Sequence, residues 1–174
     1  MQQLLLPMKR AKLLSDKASI KEVAKMLACS IKIENGNTVE ISGDAYAEYL
    51  ARNVITAFGR GFEMETAMKL LSEEIFFSIT NLKDALGGSR DRVLRIKARI
   101  IGKDGRTKRY IEEVSGADVC IYGNTVSFIG TNAAIEIANA AVDVLVGGGT
   151  HKKAYRNMEA TRRKFNKGSI REVI

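Results

Sequence analysis

The chain has 174 residues, 45% of them hydrophobic, which suffices for packed cores in one ordinary domain or two small ones and excludes a disordered chain. Lysine and arginine number 28 against 20 aspartate and glutamate, a net charge of +8 that favours a polyanionic partner such as RNA, DNA or an acidic membrane surface. No apolar run reaches the roughly eighteen residues of a membrane span, and the opening MQQLLLP is too short for the apolar region of a signal peptide, so a cytosolic protein is expected.

In chain order, residues 2–6 read as a strand ended by Pro7, the single proline. Lys9, Arg10 and Lys12 lead into Leu13 and Leu14, and Ile20, Val23, Ala24 and Leu27 then recur at helical period. Ser15 or Asp16 is placed to cap that helix. Residues 30–43, SIKIENGNTVEISG, alternate in polarity on either side of Gly36-Asn37 and predict a β-hairpin. Residues 44–58 predict a helix with Asp44 near its start, Tyr46, Leu50, Val54 and Ala57 roughly on one side, and Gly59 and Gly61 as its stop. A further helix over 63–71 precedes a strand over 74–81. There Phe76 and Phe77 are expected in the core rather than as base-stacking platforms, because adjacent strand residues face opposite ways and at least one must point inward.

Residues 87–100, GGSRDRVLRIKARI, read as an inserted basic helix. Ser89 is its plausible N-cap, and Arg92, Arg95 and Arg99 stand three and four residues apart on one face. This cationic stripe is expected to neutralise phosphates. It leads into Gly102-Lys103-Asp104-Gly105, a loop bounded by two glycines that opens a helix in which Ile111 and Val114 share a face. Glycine lets bare backbone approach a sugar-phosphate chain, and the first N–H groups of the new helix favour anions. Arg106, Lys108 and Arg109 add charge at that end. Residues 116–130 then repeat the hairpin pattern about Gly123-Asn124, and residues 132–146 the long helix.

The match between the halves is an internal repeat at a spacing of 87 residues, with Gly36, Asn37, Thr38 and Val39 recurring as Gly123, Asn124, Thr125 and Val126. In the first copy, residues 14–19, LSDKAS, replace the glycine loop, so side chains stand where a phosphate backbone would approach. That copy is expected to act as scaffold or partner surface.

Helix, strand, strand, helix after a Gly-x-x-Gly loop resembles the nucleic-acid clamp of a KH domain, whose loop holds about four backbone nucleotides. Extended over RIKARIIGKDGRTKRYIEE, the GNTV hairpin and GGGTHKKAYR, the resemblance is to archaeal members of the partner of Nob one family, two-KH assembly factors of the small ribosomal subunit. It implies an α+β fold of two tandem type I KH domains, each a three-stranded antiparallel sheet packed on helices. These span residues 1–72, with a degenerate loop, and 73–174, with the glycine loop, the inserted basic helix and a basic C-terminal helix. It implies single-stranded ribosomal RNA near the 3′ end of the small-subunit RNA as ligand, a Nob-type endonuclease as partner and no catalytic activity; a translation initiation factor is a further expected partner.

On this reading Gly102, Lys103, Asp104 and Gly105 hold the backbone, with Arg106, Lys108 and Arg109 beside them, while bases lie against Ile101 and some of Val119, Cys120 and Ile121. Gly147, Gly148 and Gly149 end the last core helix, and residues 150–164 form a basic segment in which Lys152, Lys153 and Arg156 are expected to meet RNA or the sister module.

No catalytic or metal constellation and no cofactor is expected. His151 is the single histidine, leaving no partner for a histidine-based metal cluster or hydrolase triad. The Glu73-Glu74 and Glu112-Glu113 pairs read as solvated surface, because adjacent helical residues diverge by about 100°. Cys29 and Cys120 fall in predicted strands without metal or disulfide spacing and are expected as small core residues. The alternative function is a KH adaptor of an RNA degradation complex or of translation initiation, with a nuclease or nucleotide hydrolase a distant third.

Overall fold

The computed structural model describes residues 1–15 and 18–171, with side chains described outside 15–19 and 167–171. It is a mixed α+β structure with two three-stranded antiparallel sheets, and it divides into two units, Met1–Glu73 and Glu74–Ile174. No described helix is long and apolar enough to cross a membrane.

The first unit runs β1 (Gln2–Leu5), α1 (Met8–Ser15), α2 (Ala18–Met26), β2 (Ser30–Glu34), β3 (Thr38–Ser42), α3 (Ala45–Gly59) and α4 (Met64–Met68), closed by a 3-10 turn at Lys69–Leu71. β3 is the central strand, in the order β1-β3-β2. The period-two alternation buries Val39 and Ile41 completely and leaves Lys32 and Glu34 exposed. Asn35 and Gly36 both take positive φ, and the Asn37 N–H donates to the Glu34 carbonyl at 3.2 Å, which closes the hairpin turn. Asp44 caps α3, one Oδ1 accepting the Tyr46 and Ala47 N–H groups at 2.9 Å each. The cap expected on α2 from Ser15 or Asp16 lies outside the described residues.

The second unit runs β4 (Phe76–Asn81), a one-turn α5 (Leu82–Ala85), α6 (Arg90–Ile101), a 3-10 turn (Lys103–Gly105), α7 (Arg106–Ser115), β5 (Asp118–Tyr122), β6 (Thr125–Gly130), α8 (Asn132–Val146) and α9 (His151–Arg171). Its sheet order is β4-β6-β5, so the sequence-adjacent hairpin strands pair and the first strand crosses to the far side of β6. Val119, Val126 and Phe128 share the sheet face that meets the helices, packing with Ile96 and Ile100 of α6, Ile111 of α7 and Ala138 and Leu145 of α8. Ala154 and Met158 of α9 are fully buried in the same cluster, so the basic tail is a packed element of this unit.

α6 was expected as an insertion, and the structure corrects this. It stands between β4 and the following loop as α1 stands between β1 and α2, so both units follow strand, helix, helix, strand, strand, helix. Val93, Ile96 and Ile100 are buried, and deleting the helix would expose core at about 1.5–3 kcal/mol for each large side chain. The piece without a counterpart in the first unit is the short α5 with Gly87 and Gly88 behind it.

The repeat extends to the way the long helices end. Arg10 of α1 donates through Nε to the Phe58 carbonyl at 2.9 Å and through a terminal nitrogen to the Phe62 carbonyl, its guanidinium 4.0 Å from the Phe58 ring centroid. In the second unit Arg99 of α6 donates to the carbonyls of Leu145, at 3.2 Å, and Gly149. Those acceptors stand at the repeat spacing of 87 from Phe58 and Phe62. In both units a cation thus adds a donor to a last-turn carbonyl that already accepts one backbone N–H, from Gly61 or Gly148, and reaches a second carbonyl just past the helix, at the negative end of the helix dipole.

Two core expectations are also corrected. Phe76 is 44% exposed, because the alternation of β4 turns it away while Phe77 is half-buried. Cys29 precedes β2 rather than lying in a strand, and both cysteines are half-buried and outside any disulfide. Partial burial still pushes the Cys29 thiol up.

Candidate nucleic-acid interface

The glycine loop lies open at the surface between α6 and α7, with Lys103 and Asp104 exposed. Gly102 adopts φ +73°, ψ 173°, Asp104 φ +53°, ψ 28°, and Gly105 φ +75°, ψ 11°. Three left-handed φ values in four residues turn the chain sharply into α7, whose start carries no side-chain cap. The Arg106 N–H donates back to the Lys103 carbonyl, and the N–H groups after it carry no side-chain cap and are turned toward the loop, where a helix start favours an anion.

The two glycines are required for different reasons, which their spacing did not reveal. A Cβ at Gly102 would stand 2.2 Å from the Thr107 Oγ1 and 2.8 Å from the Thr107 backbone nitrogen, so the chain's own packing forbids it. A Cβ at Gly105 would meet only the Arg109 guanidinium, at 3.5 Å, and that glycine serves the backbone angle. Thr107 is pinned in turn, its hydroxyl accepting from the Tyr155 hydroxyl of α9 at 3.3 Å.

Arg106 and Arg109 are exposed beside the loop. Lys108 is less available, because its Nζ lies 2.7 Å from the Glu112 Oε1 in an i,i+4 pair. The same Glu112 oxygen accepts the Val119 N–H at 3.0 Å, which ties α7 to β5 and accounts for this carboxylate structurally. Among the described residues no group of three or more metal-ligating side chains occurs.

α6 presents three faces. Val93, Ile96 and Ile100 point into the core. On one flank, Arg92, Arg95 and Arg99 line a cavity of about 310 Å³ together with Leu86, Ile96, Val146, Gly147 and Gly148. On the other, Lys97 Nζ donates to the Gly123 carbonyl in the β5–β6 turn at 2.7 Å. Ile101, one turn after Lys97, and Leu94 and Arg90, three and seven residues before it, share that hairpin side. Ile101 is 37% and Leu94 54% exposed.

The expected arginine stripe is real but lies across α6 from the gap between helix and hairpin. Its members face the end of α8, and Arg99 is committed to the Leu145 and Gly149 carbonyls while its own carbonyl lies 2.9 Å from His151 Nε2. The strand register decides among the residues expected to meet bases. Val119 is only 3% exposed and belongs to the core, and Ile121 is half-buried against it at the end of β5, which leaves Ile101 as the open apolar residue next to the clamp. Sequence reading missed Arg90, Leu94 and Lys97. Their helical spacing to Ile101 was available, but only the position of the hairpin shows which side of α6 it borders.

Lys152, Lys153 and Arg156 lie exposed on α9 and, with Arg163, line an open groove beside Val144 and Asn157. The start of α9 sits beside the glycine loop, through His151 to Arg99 and Tyr155 to Thr107. Farther along, the Tyr110 hydroxyl donates to Glu159 Oε1 at 2.7 Å, and the Tyr110 and Tyr155 rings meet edge-on at 4.6 Å. That bond to a carboxylate pushes the Tyr110 phenol up, since ionising it would set two negative oxygens together.

The family model for the second KH domain of PNO1, described as a eukaryotic-type KH domain (KH-domain type I), matches residues 76–163. A KH domain-containing protein of Methanocaldococcus jannaschii is 37% identical over 161 residues, covering 89% of this chain and 70% of that protein. The pre-rRNA-processing protein pno1 of Aspergillus fumigatus is 32% identical over 125 residues, covering 70% of this chain but 49% of its own length, so the present chain spans about half of that relative. A chain of the a/eIF2alpha-aDim2p-rRNA complex from Pyrococcus horikoshii superposes with a TM-score of 0.84 at 36% identity, covering 94% of each chain.

Proposed function

The chain belongs to the PNO1 family of KH-domain proteins, and from that premise we propose that it is an RNA-binding factor of small ribosomal subunit biogenesis. It grips single-stranded ribosomal RNA near the 3′ end of the small-subunit RNA and cooperates with a Nob-type endonuclease, with an initiation factor as a further partner. It works as two tandem type I KH modules, residues 1–72 and 73–174, the second carrying the clamp and the basic C-terminal helix, and it catalyses nothing itself. The observation that carries the reading is the open glycine loop with uncapped α7 amides, exposed Lys103, Arg106 and Arg109, and Ile101 opening onto the hairpin side. The likeness to the rRNA-bound archaeal complex and to fungal pre-rRNA-processing protein supports it.

In this scheme the phosphodiester backbone lies over Gly102–Gly105, with α7 amides and the Arg106 and Arg109 guanidiniums as donors. Bases turn inward along α6 over Ile101 and toward the end of β5, where Ile121 lies. Lys152, Lys153 and Arg156 extend the positive surface from the start of α9, and Arg92 and Arg95 flank it from the far side of α6. The first module contributes scaffold, since residues 14–19 contain no glycine.

The test is Lys103→Asp, which keeps both glycines and their backbone angles but sets two adjacent carboxylates where phosphate should sit. Affinity for an oligoribonucleotide matching the 3′ end of small-subunit RNA should fall at least tenfold with the unfolding transition unchanged. For four to six neutralised phosphates, log K should fall against log salt with a slope of about −3 to −4. Undiminished binding, or a flat salt profile, refutes the clamp. Crosslinking that maps to mRNA or degradation intermediates instead would favour the adaptor role.

A further inference from the structure

Resting on the groove reading above, we propose that Lys83 and Arg90 form a phosphate subsite at the end of the α6 groove remote from the glycine loop. It takes a phosphodiester of the RNA strand as it leaves the groove. Arg90, Leu94, Lys97 and Ile101 follow one another along the hairpin side of α6, and at 1.5 Å per residue Arg90 stands about 18 Å from Gly102. A KH clamp holds about four nucleotides, so a strand that fills this groove runs out beside Arg90.

At that point Lys83, Gly88, Arg90, Val93 and Asn124 line a pocket of about 270 Å³. Two cations and no carboxylate face it. Both side chains are exposed, and neither has an ion-pair partner among the described residues. The walls are fixed by bonds that leave these two charges unused. Lys97 Nζ holds the Gly123 carbonyl at 2.7 Å, and the Leu82 N–H holds the Asn124 carbonyl at 2.8 Å, so the β5–β6 turn is anchored to α6 on one side and α5 on the other. Gly88, at φ +81° with open space where a Cβ would stand, keeps the rim low. Two cations without an ion-pair partner lining one pocket are complementary to an anion with several acceptor oxygens. An acidic protein segment carries similar charge, but continuity with the clamp along a single helix face favours the strand already held there.

The test compares the full chain with its Lys83→Gln/Arg90→Gln variant by fluorescence anisotropy, using four- and eight-nucleotide RNAs from the 3′ end of small-subunit RNA. The four-nucleotide RNA should bind both proteins within twofold. The extra affinity of the eight-nucleotide RNA should fall about tenfold, and its salt slope should shrink by about 1.4, for two lost contacts at 0.7 each. Unchanged binding and slope with the longer RNA overturn the subsite, as does an equal loss with both lengths. Failure of the groove itself is read separately, as four-nucleotide binding that survives Lys103→Asp.

Discussion

Replacing Gly102 by alanine tests the loop through stability rather than affinity. Its backbone, at φ +73° and ψ 173°, lies in a region essentially reserved for glycine, where another residue costs about 1–3 kcal/mol. The new methyl would also stand 2.2 Å from the Thr107 Oγ1 and 2.7 Å from its Cβ. Thr107 is 5% exposed and bonded to Tyr155, so it has no open side to move into, and forced overpacking of this kind adds about 1–3 kcal/mol. The sum is about 2–6 kcal/mol. Gly105→Ala is the internal control. Its φ of +75° costs about 1–2 kcal/mol in the left-handed region, but the added methyl meets only a guanidinium at ordinary contact distance. Both variants gain the same small amount from a stiffer unfolded chain. Between the midpoints of these ranges the gap is about 2.5 kcal/mol, or about 10–20 °C in Tm for a domain of this size. Thermal unfolding by circular dichroism reads it, with amide exchange in α7 assigning the loss to the second unit. Equal midpoints for the two variants would refute the packing argument and return Gly102 to a role in ligand access alone.

Arg99→Met should cost about 2–3 kcal/mol in urea unfolding, because carbonyls at the end of α8 lose a charged donor, while affinity of the folded variant for RNA changes by less than twofold. An unchanged midpoint with a large loss of affinity would restore Arg99 to the RNA surface. The Tyr110 phenol should ionise later in an ultraviolet difference titration than exposed tyrosines, and Glu159→Gln should bring it down. Because the folded state raises this pKa, the stability it contributes is present at neutral pH and is lost as pH rises beyond the ordinary tyrosine range of about 10. A Tyr110 titration indifferent to Glu159→Gln would show that burial, not the carboxylate, sets the shift.

What the sequence determined by itself is what depends on near neighbours in the chain. The two hairpins follow from alternation about turns in which Gly36 and Gly123 take positive φ. The α3 cap follows from Asp44, and the exposed loop from two glycines between the apolar pair Ile100-Ile101 that ends one basic helix and Arg106 that begins the next. The repeat of 87 residues carried this reading from one half to the other. Tertiary structure alone decided what each flank of α6 serves. Val93, Ile96 and Ile100 fix which face is buried, but cations border that face on both sides, and helical period is blind to which neighbour lies along each border. The chain return through β5 and β6 places the Gly123 turn against Lys97, and the end of α8 meets Arg99. Contacts separated by 26 and 46 residues thus set one basic flank against the hairpin turn and the other against the end of α8. That assignment depends on packing between segments remote in sequence, which no local pattern encodes.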